Sequence, residues 1–413
     1  MKNRIYPKKK RVVLYMSAFP QLSETFLVAK FVGLLERGWD VHILCHQFNY
    51  NAWEHFPDLD DSPELKKKVH KTWLFKPRWI VPLLFIPGLF YCFLKSPGAT
   101  LRYLRLGWRQ LNWAMFKHFY LDIPLIVLNP DIIHFEFGSL AVGKVYLRDF
   151  LDTKLSVSFR GYDLNYIGLD KPDYYHNVWE SVAGAHLLGQ DLWQRAIKRG
   201  APEDLIHQLI PPAVDLGSFP KPSPHRHGVL GTKDKPLRIL SVGRLHWKKG
   251  YEFSLQAVRK IEDRGLKVEL IIIGDGDYDA PLYFARHQLG LEANVTFLGS
   301  VPHPQVIEQL KWADIFLHGA VSEGFCNAVL EAQVIGVPVV CTDADGLREN
   351  VLDGVTGFIV PRRDPQVMAE KILLLAGDAD LRRKMGAAGR KRVEDNFRMD
   401  QQLDAFEEFY DHL

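Results

Sequence analysis

The sequence predicts an α/β protein with two Rossmann-like domains that face each other across a cleft. Its 413 residues are enough for two domains of ordinary size. Short apolar runs alternate with helical stretches in two successive series, separated by a segment rich in Pro, His and Gly at residues 220–231. We therefore place a first domain at residues 1–218, a second at 219–396, and a closing segment at 397–413.

The first series opens with a βαβ pattern. Residues 12–16 (VVLYM) have the composition of a buried strand, residues 24–37 predict a helix that ends at Gly38, and residues 41–45 predict a second strand. Further strands of this domain are expected at residues 132–135, 155–159 and 186–188.

The second series repeats the alternation more regularly. Its strands are expected at residues 237–242, 268–273, 295–297, 315–318 and 338–342. Its helices are expected at residues 251–264, 280–289, 304–312, 327–335 and 365–375. Alternation of this kind predicts a parallel sheet covered by helices.

The composition is that of a soluble globular protein, with 47% apolar and 24% charged residues. The formal net charge of +3 is too small to indicate nucleic acid as a partner. The four cysteines, Cys45, Cys92, Cys326 and Cys341, form no CxxC pair, so we expect reduced thiols in the cytosol. The basic start leads into an apolar run that is too short for a signal peptide.

Residues 73–109 interrupt the alternation. Residues 80–94 are almost wholly apolar, but they contain two prolines and are shorter than the ~20 residues that a spanning helix needs. Basic residues flank this run, and the tryptophans and tyrosines around it are typical of a bilayer interface. We interpret the segment as a membrane-docking insertion on the anionic cytoplasmic leaflet. A core helix with an amphipathic neighbour is the alternative.

The stretch SEGFCNAVLE, residues 322–331, is the most informative part of the chain. Glu323 lies in a Gly-containing turn, and Glu331 lies inside the helix predicted over residues 327–335. At about 1.5 Å per residue the two carboxylates are roughly 12 Å apart along the helix axis. The first lies at a helix N-terminus, which attracts anions. This arrangement suits a nucleotide-sugar, whereas the alternative is a solvated helix with two surface glutamates.

Two glycine-containing turns follow strands of the second series. The sequence SVGRLHWKKG leaves a strand at Gly243 and continues through a cationic loop, from which Arg244 and Lys249 can reach a diphosphate. Solvated loop cations are the alternative interpretation. The turn IIIGDGD at Gly274 permits close backbone approach to a ligand, but it is not a GxGxxG motif and does not support nicotinamide binding.

Taken together, these motifs resemble the retaining glycosyltransferases of family 4, which have the GT-B fold. The similar runs are VGRLHWKKG, IIIGDGD, SEGFCNAVLEA with the family's Glu-x7-Glu pair, GVPVVCTDADGLREN and DGVTGFIVP. They stand in the family's order across residues 237–375. More weakly, FPQLSETF at residues 19–26 resembles the start of members that build bacterial exopolysaccharides such as colanic acid. RGYD at 160–163 and IPPAVD at 210–215 also match.

The resemblance implies a donor site in the second domain. Glu323 is expected against the donor sugar, Glu331 on the ribose, and Arg244 and Lys249 on the diphosphate. The other residues expected to line the donor are Gly243, Gly274, Gly324, Phe325 and Asn327. The closing segment resembles the helix that crosses back to the first domain in this fold.

We expect neither a metal nor a cofactor, because Arg, Lys and a helix N-terminus can stabilise the charge of the leaving group electrostatically. The sequence DAD at residues 343–345 looks like the metal-diphosphate signature of another glycosyltransferase fold. In this family the same stretch is a loop near the nucleotide, so we do not assign a metal to it.

The first domain departs from the family at one position of interest. Many members have a His where this chain has Arg160, and we expect Arg160 to make the catalytic contact of this domain. Ser23, Glu24, Asp163 and His134 are expected at the acceptor or in the cleft. For Ser23 a helix cap is the alternative, and for His134 a structural role.

The family resemblance and the apolar insertion together imply a retaining, metal-independent hexosyltransferase, peripheral on the inner face of the cytoplasmic membrane. It is expected to move a hexose from a UDP- or GDP-sugar to a lipid-linked or growing polysaccharide acceptor. One alternative is a soluble transferase that acts on a small sugar or a glycogen-like polymer. The other is a catalytically silent nucleotide-sugar-binding scaffold of a polysaccharide-assembly complex.

Overall fold

The computed structural model describes residues 9–21, 24–56, 59, 63–73, 81–220 and 226–413. The chain divides into two compact units. The first contains the residues up to Leu187 together with Leu192–Ile210 and Leu403–Leu413, and the second contains Leu188–Asp191 and Pro211–Gln402. Each unit has its own parallel sheet, which confirms the prediction of two Rossmann-like α/β domains.

The first unit is built on a parallel sheet of seven strands within the described residues, in the order β3-β2-β1-β4-β5-β6-β7. Its central strands are apolar runs that are buried on both faces, as parallel sheets require. The strands are β1 Arg11–Phe19, β2 Asp40–Phe48, β3 Val69–Lys71, β4 Ile132–Phe135, β5 Lys154–Phe159, β6 Gly184–Leu187 and β7 His207–Leu209.

Helices connect these strands. They are α1 Thr25–Glu36, α2 Tyr50–Trp53, α3 Pro63–Lys67, α4 Val81–Lys95, α5 Pro97–Leu111, α6 Ala114–Leu128, α7 Gly138–Ala141, α8 Leu147–Leu151, α9 Gly161–Asn165, α10 His176–Ser181 and α11 Gln190–Lys198.

Helices α4, α5 and α6 form an insertion between β3 and β4 and contain most of the segment expected to dock on a membrane. Residues 74–80 of that segment lie outside the described residues. Helix α4 packs on α6, where Phe85 stacks edge-on against Phe116 and a Cβ on Gly88 would lie 2.7 Å from Ile123 Cδ1. Among the described residues, no helix is both long enough and apolar enough to span a membrane.

The second unit contains a parallel sheet of six described strands in the order β10-β9-β8-β11-β12-β13. Four predicted elements of this unit have the predicted bounds, namely β8, β9, β11 and α15. The strands are β8 Leu237–Val242, β9 Val268–Ile273, β10 Val295–Gly299, β11 Ile315–His318, β12 Val339–Thr342 and β13 Gly357–Val360. The helices that follow them are α12 Tyr251–Glu262, α13 Asp279–Gln288, α14 His303–Trp312, α15 Asn327–Ile335, α16 Leu347–Asn350, α17 Pro365–Gly377 and α18 Ala379–Asn396. The last helix, α19 Met399–His412, belongs from Leu403 onward to the first unit.

The end of the expected linker is part of the second unit. Leu230 is 1% exposed and its backbone N–H donates to Ala376 O, while Arg226 pairs with Asp314 at 3.0 Å. Residues 226–231 are therefore held by α17 and the sheet rather than forming a free connection. Residues 221–225 of the expected linker lie outside the described residues.

Candidate active site

The candidate site of the second unit lies where its strand order reverses. Strands β8 and β11 are adjacent although they are not consecutive in the chain, so the helices after them lie on opposite faces of the sheet. A crevice opens at the carboxyl ends of such strands, and ligands bind there in open α/β sheets. The loop with Gly243 leaves β8, and the loop with Glu323 leaves β11.

The backbone at the ends of β8 and β9 is tightly packed. Gly243 has φ 154° and donates its N–H to Ile273 O. Gly274 has φ 140°, and a Cβ at this position would lie 2.1 Å from Gly243 O. Both turns therefore require glycine. The two loops that the sequence singled out are in contact with each other.

Lys249 and Glu323 form an ion pair between the loops that follow β8 and β11. Their side chains are only 13% and 11% exposed, so water screens the pair weakly. Burial alone would raise the pKa of Glu323, but Lys249 and His318 outweigh burial and lower this pKa to about 2. Burial alone would lower the pKa of Lys249, but the attraction to Glu323 outweighs it and this pKa is raised. Arg244 is exposed in the same loop as Lys249.

His318 and Cys326 were not among the predicted site residues, yet both lie beside Glu323. His318 Nε2 is 3.3 Å from Glu323 Oε2, and His318 is 2% exposed. Although burial lowers the pKa of His318, Cys326 and Glu323 raise it to about 9. The one signal in the sequence is that an ionisable residue ends the otherwise apolar strand Ile315–His318.

The turn before α15 is fixed by a buried asparagine. Asn350 Oδ1 accepts the Cys326 N–H and Asn350 Nδ2 donates to Cys326 O, each at 3.0 Å. The turn brings Gly324 so close to Gly346 that a Cβ on Gly346 would lie 1.9 Å from Gly324 O. Helix α15 then starts at Asn327, with Phe325 buried immediately before it.

Glu331 lies in the middle of α15 and is partly exposed. Its carboxylate is 3.4 Å from His303 Nε2 at the start of α14. This hydrogen bond raises the pKa of His303. Glu331 is thus separate from the Lys249–Glu323 pair and has His303 as its neighbour instead.

The two carboxylates of the DAD sequence hold other parts of the site. Asp345 accepts hydrogen bonds from Ser322 Oγ at 2.6 Å and from the Glu323 backbone N–H at 3.2 Å. Asp343 pairs with Arg348 and Arg362 at 3.1 Å each. Asp345 thereby positions the backbone of the residue that binds Lys249.

Comparisons with known proteins point to glycosyltransferases. Residues 224–392 match the family described as "Glycosyl transferases group 1". The amylovoran biosynthesis glycosyltransferase AmsK of Erwinia amylovora is 28% identical over 94% of this chain and 96% of its own length. The chain is a glycosyltransferase, and its residues 224–392 are similar to group 1.

Two further proteins are similar to this chain over almost its whole length. WcaL of Escherichia coli, provisionally named a colanic acid biosynthesis glycosyltransferase, is 25% identical over 94% of this chain and 96% of its own length. The crystal structure of Anabaena Alr3699/HepE in complex with UDP and glucose has a TM-score of 0.71 at 16% identity, covering 98% of this chain and 100% of that chain. The GT-B fold is therefore confirmed.

In the first unit of this glycosyltransferase, Arg160 is held by a buried carboxylate. Glu136 is fully buried and accepts from Arg160 Nη2 at 3.1 Å and from Lys30 Nζ at 2.7 Å. The guanidinium also lies over the rings of Phe26 and Phe137, 4.2 and 5.5 Å from their centroids. Glu136 follows β4, and neither it nor Lys30 was predicted from the sequence.

His134 and Asp163 are buried in the first unit, and their expected place at the acceptor or in the cleft stays a prediction. His134 is fully buried, and its two ring nitrogens lie 2.9 and 2.8 Å from Ser156 Oγ and Ser158 Oγ. Asp163 is also fully buried and accepts the backbone N–H groups of Ser139 and Arg160. The polar side-chain atoms of both residues form hydrogen bonds within the first unit.

The loop before α1 is only partly described. Ser23 lies outside the described residues. Glu24 stands at the N-cap position of α1 and accepts a hydrogen bond from Gln21 Nε2 at 3.1 Å. The expectation that Ser23 and Glu24 contact an acceptor stays a prediction.

Proposed function

We propose that this chain is a retaining hexosyltransferase of bacterial exopolysaccharide biosynthesis that uses a nucleotide-sugar donor. The observation that carries the proposal is the largely buried Lys249–Glu323 pair, which lies at the carboxyl ends of β8 and β11 and next to the N-terminus of α15. The biosynthetic roles for which AmsK and WcaL are named support a polysaccharide product, and the UDP and glucose in the HepE complex support a nucleotide-sugar donor.

Each charged group of the site has a role in this proposal. The bond between the anomeric carbon and the diphosphate breaks while the acceptor hydroxyl attacks from the same face. The acceptor proton passes to the departing phosphate oxygen. Arg244, Lys249 and the N-terminal N–H groups of α15 stabilise the negative charge that develops on the diphosphate. Glu323 holds the sugar hydroxyls, Glu331 holds the ribose, and no covalent nucleophile is needed.

The ion pair explains why Glu323 suits the donor sugar. A carboxylate with a pKa of about 2 stays ionised and accepts hydrogen bonds from sugar hydroxyls at any physiological pH. Lys249 is held at the same oxygen of Glu323 that His318 approaches. Its ammonium is thus pre-positioned before the donor arrives, which is the condition for electrostatic catalysis.

The test is a donor screen that follows release of nucleoside diphosphate from UDP-, GDP- and ADP-sugars, with lipid-linked acceptor extract and with EDTA present. We expect turnover with one donor, unchanged by EDTA, and an α-linked product from an α-linked donor. Loss of the charge in Lys249→Met or Glu323→Gln should lower turnover on the order of 10²–10³-fold.

Glu308→Gln is the matched control, because Glu308 is 67% exposed on α14 and pairs with Lys311 rather than with a site residue. It should keep wild-type turnover. Donor binding without turnover by folded protein would contradict the proposal and favour a binding scaffold. Inversion at the anomeric carbon would contradict the retaining mechanism, and loss of turnover in EDTA would contradict metal independence.

We further propose that the acceptor is lipid-linked and that α4 docks on the membrane. Leu83, Ile86, Phe90 and Leu94 recur at helical spacing and are 65–74% exposed, while the opposite face of α4 packs on α6. Trp108 and Trp113 are 51% and 77% exposed nearby in sequence. Exposed basic residues accompany them, namely Lys95, Arg102, Arg105 and Arg109. An apolar face with flanking cations and tryptophans suits an anionic bilayer surface.

A vesicle flotation assay tests the docking proposal. The wild-type chain should float with vesicles of anionic phospholipid and much less with vesicles of phosphatidylcholine, and the double variant I86S/F90S should stay at the bottom. Leu169→Ser is the control, since Leu169 is 63% exposed elsewhere in the first unit. Equal flotation of the double variant and the wild type would contradict docking through α4.

A further inference from the structure

Three metal-binding side chains converge beside the Lys249–Glu323 pair. One ligand atom each of His318, Glu323 and Cys326 lies within 4.8 Å of the others. His318 and Cys326 are 2% and 4% exposed, and the side chain of Glu323 is 11% exposed. His318 ends β11, whereas Glu323 and Cys326 lie in the loop before α15. The role of Glu323 in holding the donor leaves His318 and Cys326 without a function.

We propose that this cluster binds a thiophilic divalent cation such as Zn²⁺, and that the bound cation inhibits the transferase. Imidazole, thiolate and carboxylate are the ligands that Zn²⁺ prefers, whereas Mg²⁺ prefers oxygen ligands alone. With bonds of about 2.0–2.3 Å, tetrahedral ligand atoms lie roughly 3.3–3.8 Å apart. His318 Nε2 and Glu323 Oε2 already have a separation of 3.3 Å.

Cys326 is better suited to such an ion than the other cysteines. Burial raises the pKa of every buried thiol, and it brings the pKa of Cys45 to about 11 and that of Cys92 to about 12. At Cys326 the nearby His318 and Lys249 cations outweigh burial and lower the pKa. Cys326 also offers its Sγ within 4.8 Å of an imidazole nitrogen and a carboxylate oxygen, which are the other ligand types of zinc sites.

Inhibition follows from the atom that the cation would occupy, given the proposed role of Glu323 in holding the donor. Lys249 Nζ and His318 Nε2 both contact Glu323 Oε2. A cation bound to this carboxylate competes with Lys249 and repels its ammonium. It also removes Glu323 from the donor sugar. The inference concerns regulation of the same site and makes no use of the metal as a cofactor.

Cobalt is the direct probe of binding, because a Co²⁺–thiolate bond gives a charge-transfer absorption band that can be titrated. We expect one equivalent of Co²⁺ to produce this band in the wild-type chain under reducing conditions, and Zn²⁺ to abolish it by competition. The band should be missing in Cys326→Ser and retained in Cys92→Ala, which removes a buried thiol from the first unit. Near-ultraviolet circular dichroism establishes that both variants are folded.

The transfer assay then tests inhibition separately from binding. Zn²⁺ should inhibit the wild type reversibly, with recovery on adding chelator, and Mg²⁺ at the same concentration should not. In Cys326→Ser the concentration of Zn²⁺ for half inhibition, relative to the variant's own rate, should rise at least about tenfold. No thiolate band, or a band that persists in Cys326→Ser, overturns the site. A band without inhibition of an active enzyme overturns the regulatory role. The cobalt titration stands even if the chain shows no transferase activity.

Discussion

The pKa values of two largely buried lysines are shifted in opposite directions, although each lysine pairs with a glutamate. Lys249 has Glu323 as its carboxylate, and its pKa is raised. The Lys30 side chain is only 2% exposed, and burial outweighs the attraction of Glu136 and lowers its pKa to about 8, with a smaller contribution from Arg160. Of these two lysines, Lys249, which is proposed to stabilise the leaving group, has the higher pKa and keeps its positive charge to higher pH.

A half-buried histidine pair on the first sheet predicts how stability depends on pH. His42 Nδ1 is 3.0 Å from His70 Nε2, and His42 Nε2 is 3.1 Å from Asp40 Oδ1. The cations Lys68 and Arg11 also act on His42. Burial and then Lys68 lower the pKa of His42 to about 4. Because the unfolded chain binds this proton near pH 6.5 and the folded chain does not, stability is lost as pH falls from about 6.5 to about 4.

His42→Gln should remove this part of the acid sensitivity. The free energy of unfolding, measured in urea, should fall between pH 7 and pH 5 in both proteins. The fall should be smaller in the variant than in the wild type by on the order of 2 kcal/mol. His55→Gln, at an exposed position in the same unit, should leave the difference unchanged. Parallel pH profiles for His42→Gln and the wild type would refute this linkage.

The regular elements of the second unit were predictable because their signals are local. β8, β9, β11 and α15 have the predicted bounds, since apolar runs with Gly or Pro at their ends determine them. β3 and β7 were missed because strands of three residues carry too little periodicity, and β13, Gly357–Val360, was not predicted either. Helix α18, Ala379–Asn396, was also missed. Its residues are mostly polar, and it is held by long-range contacts such as Arg390 Nη1 to Val334 O at 2.7 Å.

The candidate site likewise contains some residues that could be predicted from the sequence and others that could not. Glu323, Lys249 and the two glycine turns could be predicted from motif and spacing. His318, Asp345 and Asn350 could not be assigned their roles, because each acts on a loop whose position depends on the folded sheet. Their partners are 5, 22 and 24 positions away in the sequence. Only the folded chain brings these groups together.

The turn that starts α15 should depend on Asn350. Asn350→Ala removes two hydrogen bonds to Cys326. It leaves the buried Cys326 N–H unpaired and its C=O with only the 3.4 Å bond from the Leu330 N–H, so it should lower the free energy of unfolding by about 2–4 kcal/mol. Donor turnover should fall as well, because Glu323 and the N-terminus of α15 lie on either side of this turn. Urea unfolding and the donor assay measure the two effects.

Asn396→Ala on α18 is the matched control for this prediction. Asn396 is exposed, and its side chain donates to Arg392 O of its own helix. The substitution should change the free energy of unfolding by less than about 1 kcal/mol and leave turnover unchanged. Wild-type stability of Asn350→Ala would show that the turn holds its conformation without the asparagine.

The chain returns at its C-terminus to the unit in which it began. Leu403–Leu413 belong to the first unit, although about two hundred residues of the second unit precede them. Lys9 pairs with Glu407, and Phe406 lies 4.9 Å from the His186 ring, centroid to centroid. Lys30 Nζ also lies 3.8 Å from the centroid of the Phe406 ring. The last helix therefore covers the buried polar side chains of the first sheet.

Phe406→Ala should consequently destabilise the first unit from a position at the far end of the sequence. Phe406 is 2% exposed, and truncating a buried Phe costs about 3–5 kcal/mol. Hydrogen exchange should accelerate in β4 and β5, which carry His134, Ser156 and Ser158, and stay unchanged in β8 and β11. Phe284→Ala, at a position 64% exposed on α13, should change neither. If hydrogen exchange accelerated equally in β8 and β11, a defect in the core of the first unit would be transmitted to the second. The two units would then unfold together, and the prediction would be wrong.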